Sequence, residues 1–191
     1  IIFTAVNFNR YITEAEFSEL AAFIRREGVV RRFARGERLS GQGLRSHRCG
    51  LVVQGAFRYV YADAAGEEHV VGYAFAGEFV GDYISMCVDA PSQVTIGAMC
   101  GAEALLVPGE RLETFYRTDA ACERLGRRLA EHMLAEVYER LLDRYAASPQ
   151  QRYEALTERC PDVLQLVPLR ELASYLGVRP ETLSRIRRRV R

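Results

Sequence analysis

Apolar residues fall along this chain in successive rhythms, and each rhythm predicts a different element. Between residues 13 and 27, Phe17, Leu20, Ala21 and Ile24 recur three and four apart, which is one face of an α-helix. Thr13 is a good N-cap, Glu16 follows three residues on as in a capping box, and Gly28 closes the helix. From 29 to 108 the rhythm becomes short apolar runs punctuated by glycine: CGLVVQ, AFRYVYA, HVVGYAF, VTIGAM and AEALLVP. Each has the length of a strand, about 5–7 residues. In the second run Phe57, Tyr59 and Tyr61 alternate with Ala56, Arg58 and Val60, the period of a half-buried strand. Asp63–Gly66 joins two runs as a hairpin loop. Many short strands at regular spacing predict a small antiparallel β-barrel or jelly roll.

Residues 110–145 are expected to be helical. Leu125, Leu129, Met133, Val137, Leu141 and Tyr145 recur every four residues, and Leu134, Tyr138 and Leu142 widen the stripe. A surface helix needs only a narrow apolar stripe. One this broad is expected to bury two sides, against its own barrel and against a second copy of the chain. Leu125, Leu129, Met133, Val137 and Leu141 are the expected dimer seam; the plainer alternative is a helix packed wholly inside one subunit. The helix stops near Ala146, and Ser148, Pro149 and Gln151 make a sharp new start with an N-cap, a Pro at N1 and a Gln at N3. That helix runs to about Cys160, and Pro161 and Pro168 bracket a connector. The expected architecture is therefore α+β, with a barrel and long dimerisation helix over 1–147 and a second, helical domain over 148–191.

Residues 169–188, LRELASYLGVRPETLSRIRR, read as helix, turn and helix. Leu172, Leu176, Leu183 and Ile186 fall where two short crossed helices need apolar contacts, and Ala173 lets them approach. Gly177 tolerates the positive φ of a helix end, Val178 buries the turn, and Pro180 fits a first helical turn. Glu181, Thr182, Ser184, Arg185 and Arg188 are left on the outer face. Such a set reads base edges and grips phosphates in a DNA groove. An ordinary αα-hairpin with a solvated basic face is the alternative.

Charge favours the groove-reading interpretation. Residues 170–191 hold seven Arg against two Glu, a net +5, so a chain of net +1 carries −4 in the remainder. Positive charge gathered at one end is an electrostatic footprint for a polyanion. Every Lys/Arg position is Arg, which compositional bias explains without function. The 49% of hydrophobic residues are enough for a core, and no run approaches the roughly 20 apolar residues of a membrane span. No signal peptide is visible, and the chain begins at Ile1, so a true start before it stays open. Cys49, Cys87, Cys100, Cys122 and Cys160 form no C-x-x-C pair, and His47, His69 and His132 are scattered. That spacing argues against zinc or iron–sulfur ligation and for free, buried or partly buried thiols in a reducing cytoplasm. No metal or other cofactor is expected.

Barrel, long helix and terminal helix-turn-helix, in that order, resemble the Crp/Fnr superfamily of bacterial transcription regulators. The most specific strings are GEFVGD (77–82), SPQQRY (148–153) and LASYLGVRPETLSRIR (172–187), the last most similar to Bacteroidetes-type members. The resemblance implies a cytoplasmic homodimer with a cyclic-nucleotide-binding-like effector barrel, a winged-helix-like reader of double-stranded DNA, and no enzymatic activity. It leaves contact with RNA polymerase open. Within the reader, Glu181 and Arg185 match the family's base-reading Glu and Arg, and Ser184 matches the oxygen-sensor branch. Pro180 departs from the Arg of the catabolite-activator branch. Arg185 is suited to bidentate contact with guanine, whereas Arg179, Arg187, Arg188 and Arg189 are suited to phosphates.

The family's ribose-holding Gly-Glu pair falls here on Gly81 and Asp82, and its phosphate-holding Arg-Ser pair on Ser92 and Gln93. Asp82 keeps an acceptor, but Ser92 cannot replace the cation that a buried cyclic phosphate needs. No Arg lies between Arg58 and Arg111, so the sequence argues against cyclic AMP and for an unidentified small-molecule effector. No cysteine precedes Cys49 to hold the oxygen-sensing cluster, and His47 and His69 read as surface histidines rather than haem ligands. Two rivals differ in class. A cyclic-nucleotide-binding-like module without DNA function conflicts with the Arg-rich end. A cupin-type enzyme needs clustered His and Glu that the strands lack.

Overall fold

The computed structural model describes Phe8, Asn9 and residues 12–190; residues 1–7, 10 and 11 and Arg191 of the basic tail lie outside it. Eight strands form two antiparallel four-stranded sheets. One runs β1 (Val29–Phe33), β8 (Ala102–Pro108), β3 (Arg48–Gln54), β6 (Phe79–Gly81). The other runs β2 (Arg38–Ser40), β7 (Thr95–Ala98), β4 (Ala56–Ala62), β5 (Glu68–Phe75). Phe33, Val52 and Leu106 of the first sheet and Phe57, Ala74 and Ile96 of the second share one buried core, so the sheets close on each other as expected. The five runs seen in the sequence are β3, β4, β5, β7 and β8. β1, β2 and β6 lie outside those runs; the last two have three residues each, too few for a period to show. The β4–β5 hairpin turns at Asp63–Gly66, where Gly66 has φ +80° and the Asp63 carboxylate accepts the amides of Ala65 and Glu67 at 2.9 Å.

The helices depart from expectation at their ends. The first, α1 (Ser18–Glu27), starts later than Thr13. Thr13 instead caps a preceding turn: its Oγ1 accepts the Glu16 amide at 3.3 Å and its carbonyl the Phe17 amide at 3.1 Å. A short helix that the period did not show, α2 (Tyr83–Cys87), follows β6. The helix expected over 110–145 is two, α3 (Gly109–Tyr116) and α4 (Ala120–Ala146). Asp119 makes the break, its side chain capping α4 through the amides of Ala121 and Cys122 at 2.7 and 2.8 Å. Beyond the Ser148 capping box come α5 (Pro149–Arg159), α6 (Val163–Leu166), α7 (Leu169–Leu176) and α8 (Pro180–Val190). Residues 148–190 hold these four helices and no strand, so the winged form expected there is not seen.

The expected half-buried alternation of β4 fails for an informative reason. Ala56 and Val60 lie on the face opposite Phe57, yet both are buried. They belong, with Val70, Tyr73 and Phe75, to a core completed by Leu172, Tyr175, Leu183 and Ile186. The terminal helices therefore cover the outer face of β4 and β5. The expected boundary at 148 marks a change of element, but the hydrophobic core crosses it. The first half of α4 is likewise taken up internally. Leu125 and Leu129 are 8% and 6% exposed in a core with α1 and α3. They do not belong to a free seam, and Met133 is half-buried against the same core. The second half is bare, with Leu134 at 69%, Val137 at 61%, Tyr138 at 57% and Tyr145 at 84% exposure.

Candidate nucleic-acid interface and cavity

The α7–turn–α8 unit is built by a glycine-terminated helix end. Gly177 has φ 66° and ψ 40°, the left-handed conformation that lacks the usual Cβ penalty. The Val178 amide donates back to the Ala173 carbonyl at 2.9 Å, and the Gly177 amide to Ser174 at 3.0 Å. Arg179 then precedes Pro180, and its carbonyl accepts the Leu183 amide at 3.1 Å. Leu172, Ala173 and Leu183 are fully buried, which orients α8. Val178 is half-buried against them.

That orientation leaves the basic edge outward. Arg179, Glu181, Arg185, Arg188 and Arg189 are exposed, and Thr182, Ser184 and Arg187 are half-buried beside them. The ion pairs of the chain lie elsewhere, for example Arg128–Glu16 and Arg127–Glu131, and among the described residues none ties these arginines down. Arg187, Arg188 and Arg189 also sit in the last turn of α8, where cations complement the helix dipole.

The unit is clamped to the barrel through α7. Ser174 Oγ accepts the amide of Val70 at 2.9 Å, and Glu171 pairs with Arg58 of β4. The Tyr175 ring lies 5.7 Å from Tyr73 and 5.2 Å from Phe8, and the Arg140 guanidinium covers it at 4.6 Å.

The expected effector quartet does not form one ligand-facing set. Gly81 and Asp82 border a cavity of about 720 Å³ between the barrel, α4 and the terminal helices, but Ser92 and Gln93 do not line it. The reason is local hydrogen bonding. Asp82 caps α2, accepting the Ser85 amide at 3.2 Å, and its Oδ2 also receives Ser85 Oγ at 2.6 Å. Ser92 is buried, with its Oγ 2.5 Å from the same Asp82 oxygen and 2.7 Å from the Val94 carbonyl. Gln93 points outward. Gly81 is required by crowding: at φ +151° an added Cβ would meet Cys49 Cβ at 2.7 Å. Its amide donates to Tyr59 Oη at 3.1 Å, and burial pushes the Tyr59 phenol up.

Arg140, Arg144, Arg152 and Arg159 line the same cavity. They lie outside the stretch between Arg58 and Arg111, because α4 and α5 deliver them from far along the chain. Their only signal in sequence is spacing: Arg140 and Arg144 are four apart, and Arg152 and Arg159 seven apart, each pair on one helical face.

Three other groups stand out. Glu78 is only 4% exposed; it accepts the amides of Asn9 at 2.8 Å and Phe75 at 2.9 Å, yet burial raises its carboxyl to about 7. The thiols are free, and Cys87 is exposed where a buried or partly buried one was expected. Asp63, Glu67 and His69 bring three donor atoms within 4.8 Å of one another, but Asp63 already holds two amides and the His69 ring.

Among the described residues, no helix is long and apolar enough to cross a membrane. No curated protein matches the chain significantly. Among solved structures, FixK2 of Bradyrhizobium japonicum is 18% identical with a TM-score of 0.70, over 85% of this chain and 84% of that one. A CooA variant from Carboxydothermus hydrogenoformans is 16% identical with a TM-score of 0.68, over 98% and 85%. CLP of Xanthomonas campestris, described as a c-di-GMP responsive global regulator, is 18% identical with a TM-score of 0.64, over 92% and 91%. Residues 30–119, just under half of the chain, match the family model of the cyclic nucleotide-binding domain, and the chain shares the fold of these three structures.

Proposed function

We propose that this chain is a cytoplasmic, homodimeric transcription regulator of the Crp/Fnr type that binds specific double-stranded DNA and is gated by a small molecule. It is a regulator and not an enzyme. The observation that carries this is the exposed edge of α8, on which Arg185 and Glu181 stand clear of solvent-side partners while Leu183 and Ile186 are locked beneath. Arg on guanine and Glu on cytosine is a base-reading pair, and Arg179 with the Arg187–Arg189 run supplies phosphate contacts.

Dimerisation is supported by the bare half of α4. Leu134, Val137, Tyr138, Leu141, Leu142 and Tyr145 are all exposed and lie at helical spacing. Two copies joined there give two readers, as paired half-sites about 34–36 Å apart require. Gating follows from the cavity, which borders the barrel, α4 and α7 at once. A ligand there shifts the reader only by its differential affinity for two arrangements, with 145–148 as the hinge.

The test is selection of bound duplexes from a random pool, followed by titration at several salt concentrations. Enrichment of a two-fold symmetric site, with affinity falling steeply in salt, is the expected result. A chain that ignores duplex DNA in dilute buffer, or binds all sequences alike, overturns the reading.

A further inference from the structure

We propose that Phe8 and Asn9 are a latch pinning the terminal helices to the barrel, and that Glu78 makes this latch pH-sensitive, closed in acid and released as the solution turns alkaline. The latch is a property of the chain alone; only its consequence for DNA rests on the regulator reading.

Phe8 is the peg. It is 1% exposed, and its ring is enclosed from several sides. Tyr73 and Phe75 of β5 meet it edge-on at 5.3 and 5.6 Å, and Tyr175 of α7 lies at 5.2 Å. The Arg159 guanidinium, from the end of α5, stands over it at 5.5 Å. One side chain near the start of the sequence thus touches the barrel, α5 and the first helix of the reader unit. The seam that it fills does not close well by itself. Tyr73 Oη and Glu171 Oε2 are buried there, and neither has a hydrogen-bond partner among the described residues. Buried polar atoms of that kind oppose docking, so the docked state leans on the ring cluster that Phe8 completes.

Glu78 holds the peg in place through Asn9. The Asn9 amide donates to Glu78 Oε1 at 2.8 Å, and Asn9 Nδ2 donates to Oε2 at 3.0 Å. The same Nδ2 reaches the Tyr73 carbonyl at 3.2 Å, and the Phe75 amide donates to Glu78 Oε2 at 2.9 Å. The titratable groups facing this carboxyl are Tyr59 of β4, Glu136 of α4 and Cys160 after α5, with Arg159 beyond them over the Phe8 ring. Burial pushes the Tyr59 phenol up and the Cys160 thiol to about 11, so neither titrates near neutrality. Enclosure disfavours the charged form of Glu78, and the nearby Glu136 adds to this, raising the carboxyl to about 7. Release of Asn9 opens the carboxyl to water, where the charged form is favoured. Closing the latch therefore takes up a proton. In acid the neutral carboxyl stays enclosed and the latch holds. As pH climbs from 4.5 through about 7, the closed state loses that advantage.

Hydrogen exchange of the full chain, corrected for the intrinsic rate at each pH, reads the latch through three amides. Asn9 donates to Glu78, Val70 donates to Ser174 of α7, and Leu106 lies in β8 between β1 and β3 as a control for the barrel. Between about pH 5.5 and pH 8, protection at Asn9 and Val70 is expected to fall about tenfold or more while Leu106 holds. Glu78→Gln is expected to remove that dependence. Phe8→Ala is expected to lower Val70 protection about tenfold at acid pH, to leave it insensitive to pH and to spare Leu106; it serves where Glu78→Gln does not fold. Val70 protection that is flat with pH in the parent chain, or that keeps its full pH dependence in Glu78→Gln, overturns the pH sensitivity. Unchanged Val70 protection in Phe8→Ala, or loss at Leu106 in step with Val70, overturns the latch. No DNA enters the measurement, so the latch and the duplex selection fail separately.

Discussion

At the scale of single residues, position on α8 separates two kinds of arginine. Arg185 stands one turn in, beside Glu181, where a helix lying in a major groove meets base edges. Replacing it with Ala is expected to cost about 1–3 kcal/mol and to relax preference at one base pair. Arg188→Ala is expected to weaken all sequences alike and to flatten the salt slope by about one ion. Competition binding against single-base variants of the selected site distinguishes the two, and uniform loss for Arg185→Ala refutes its assignment. Glu78 gives a prediction of another kind. Its carboxyl is raised from 4.5 to about 7 by burial, so folding takes up a proton between those values. Stability must therefore fall as pH rises from about 4.5 through about 7. Glu27, Glu37, Asp63 and Asp119 are held below their ordinary values, so their contribution is lost only at lower pH, as they protonate. Thermal melts are expected to drop on the order of 5 °C between pH 5 and pH 8, and Glu78→Gln to remove that drop.

At the scale of elements, α4 has a buried half and a bare half that one apolar stripe in the sequence cannot separate. Leu129 is buried with Leu125 against α1 and α3, whereas Leu141 is 49% exposed. Leu129→Ala is expected to cost about 2–5 kcal/mol of folding stability at any concentration, read as a lower urea midpoint. Leu141→Glu is expected to leave that midpoint nearly unchanged at high dilution and to convert dimer to monomer in sedimentation. A Leu141→Glu chain that stays dimeric removes the seam from this face. This division shows what was legible beforehand. The period-4 stripe announced the helix, and the glycine at 177 with Pro180 announced the turn, because both are local consequences of backbone geometry. Which half of the stripe faces inward depends on where α1 and α3 pack, and that is tertiary. The same holds for Arg140 and Arg152 at the cavity and for the outer face of β4. Ala56 and Val60 look like a solvent-side row until α7 is laid over them. Asp82 and Ser92 do not form a ligand set for the reverse reason: a short helix, too brief to show a period, takes Asp82 as its cap, and Ser92 bonds to that same carboxylate.

At the scale of the whole molecule, the α7–α8 unit is docked on its own barrel, and in the proposed switch the strength of that docking decides how freely the reader swings. The clamp consists of the Val70–Ser174 hydrogen bond, the Arg58–Glu171 pair and the rings of Phe8, Tyr73 and Tyr175. Undocking exposes that apolar seam but leaves the barrel core between the two sheets intact, so it costs less than unfolding the chain. Ser174→Ala strips the hydroxyl from Val70 and leaves its amide without that partner, a loss of about 0.5–1.5 kcal/mol. The undocked population should rise by roughly two- to tenfold, since 1.4 kcal/mol is a factor of ten. The proposed hinge at Ala147 and Ser148 lies just before the half-buried Arg152, so limited trypsin cleavage after Arg152 is expected to report the undocked form. Cleavage of Ser174→Ala is expected to quicken by that factor while the thermal midpoint of the barrel stays within about 2 °C. Binding of an isolated half-site should be unaffected, because Arg185 is already exposed when the reader is docked. Cleavage no faster than in the parent chain would show that α7 is held by its apolar seam alone, and the hydrogen bond to β5 would then have no part in setting the reader's freedom.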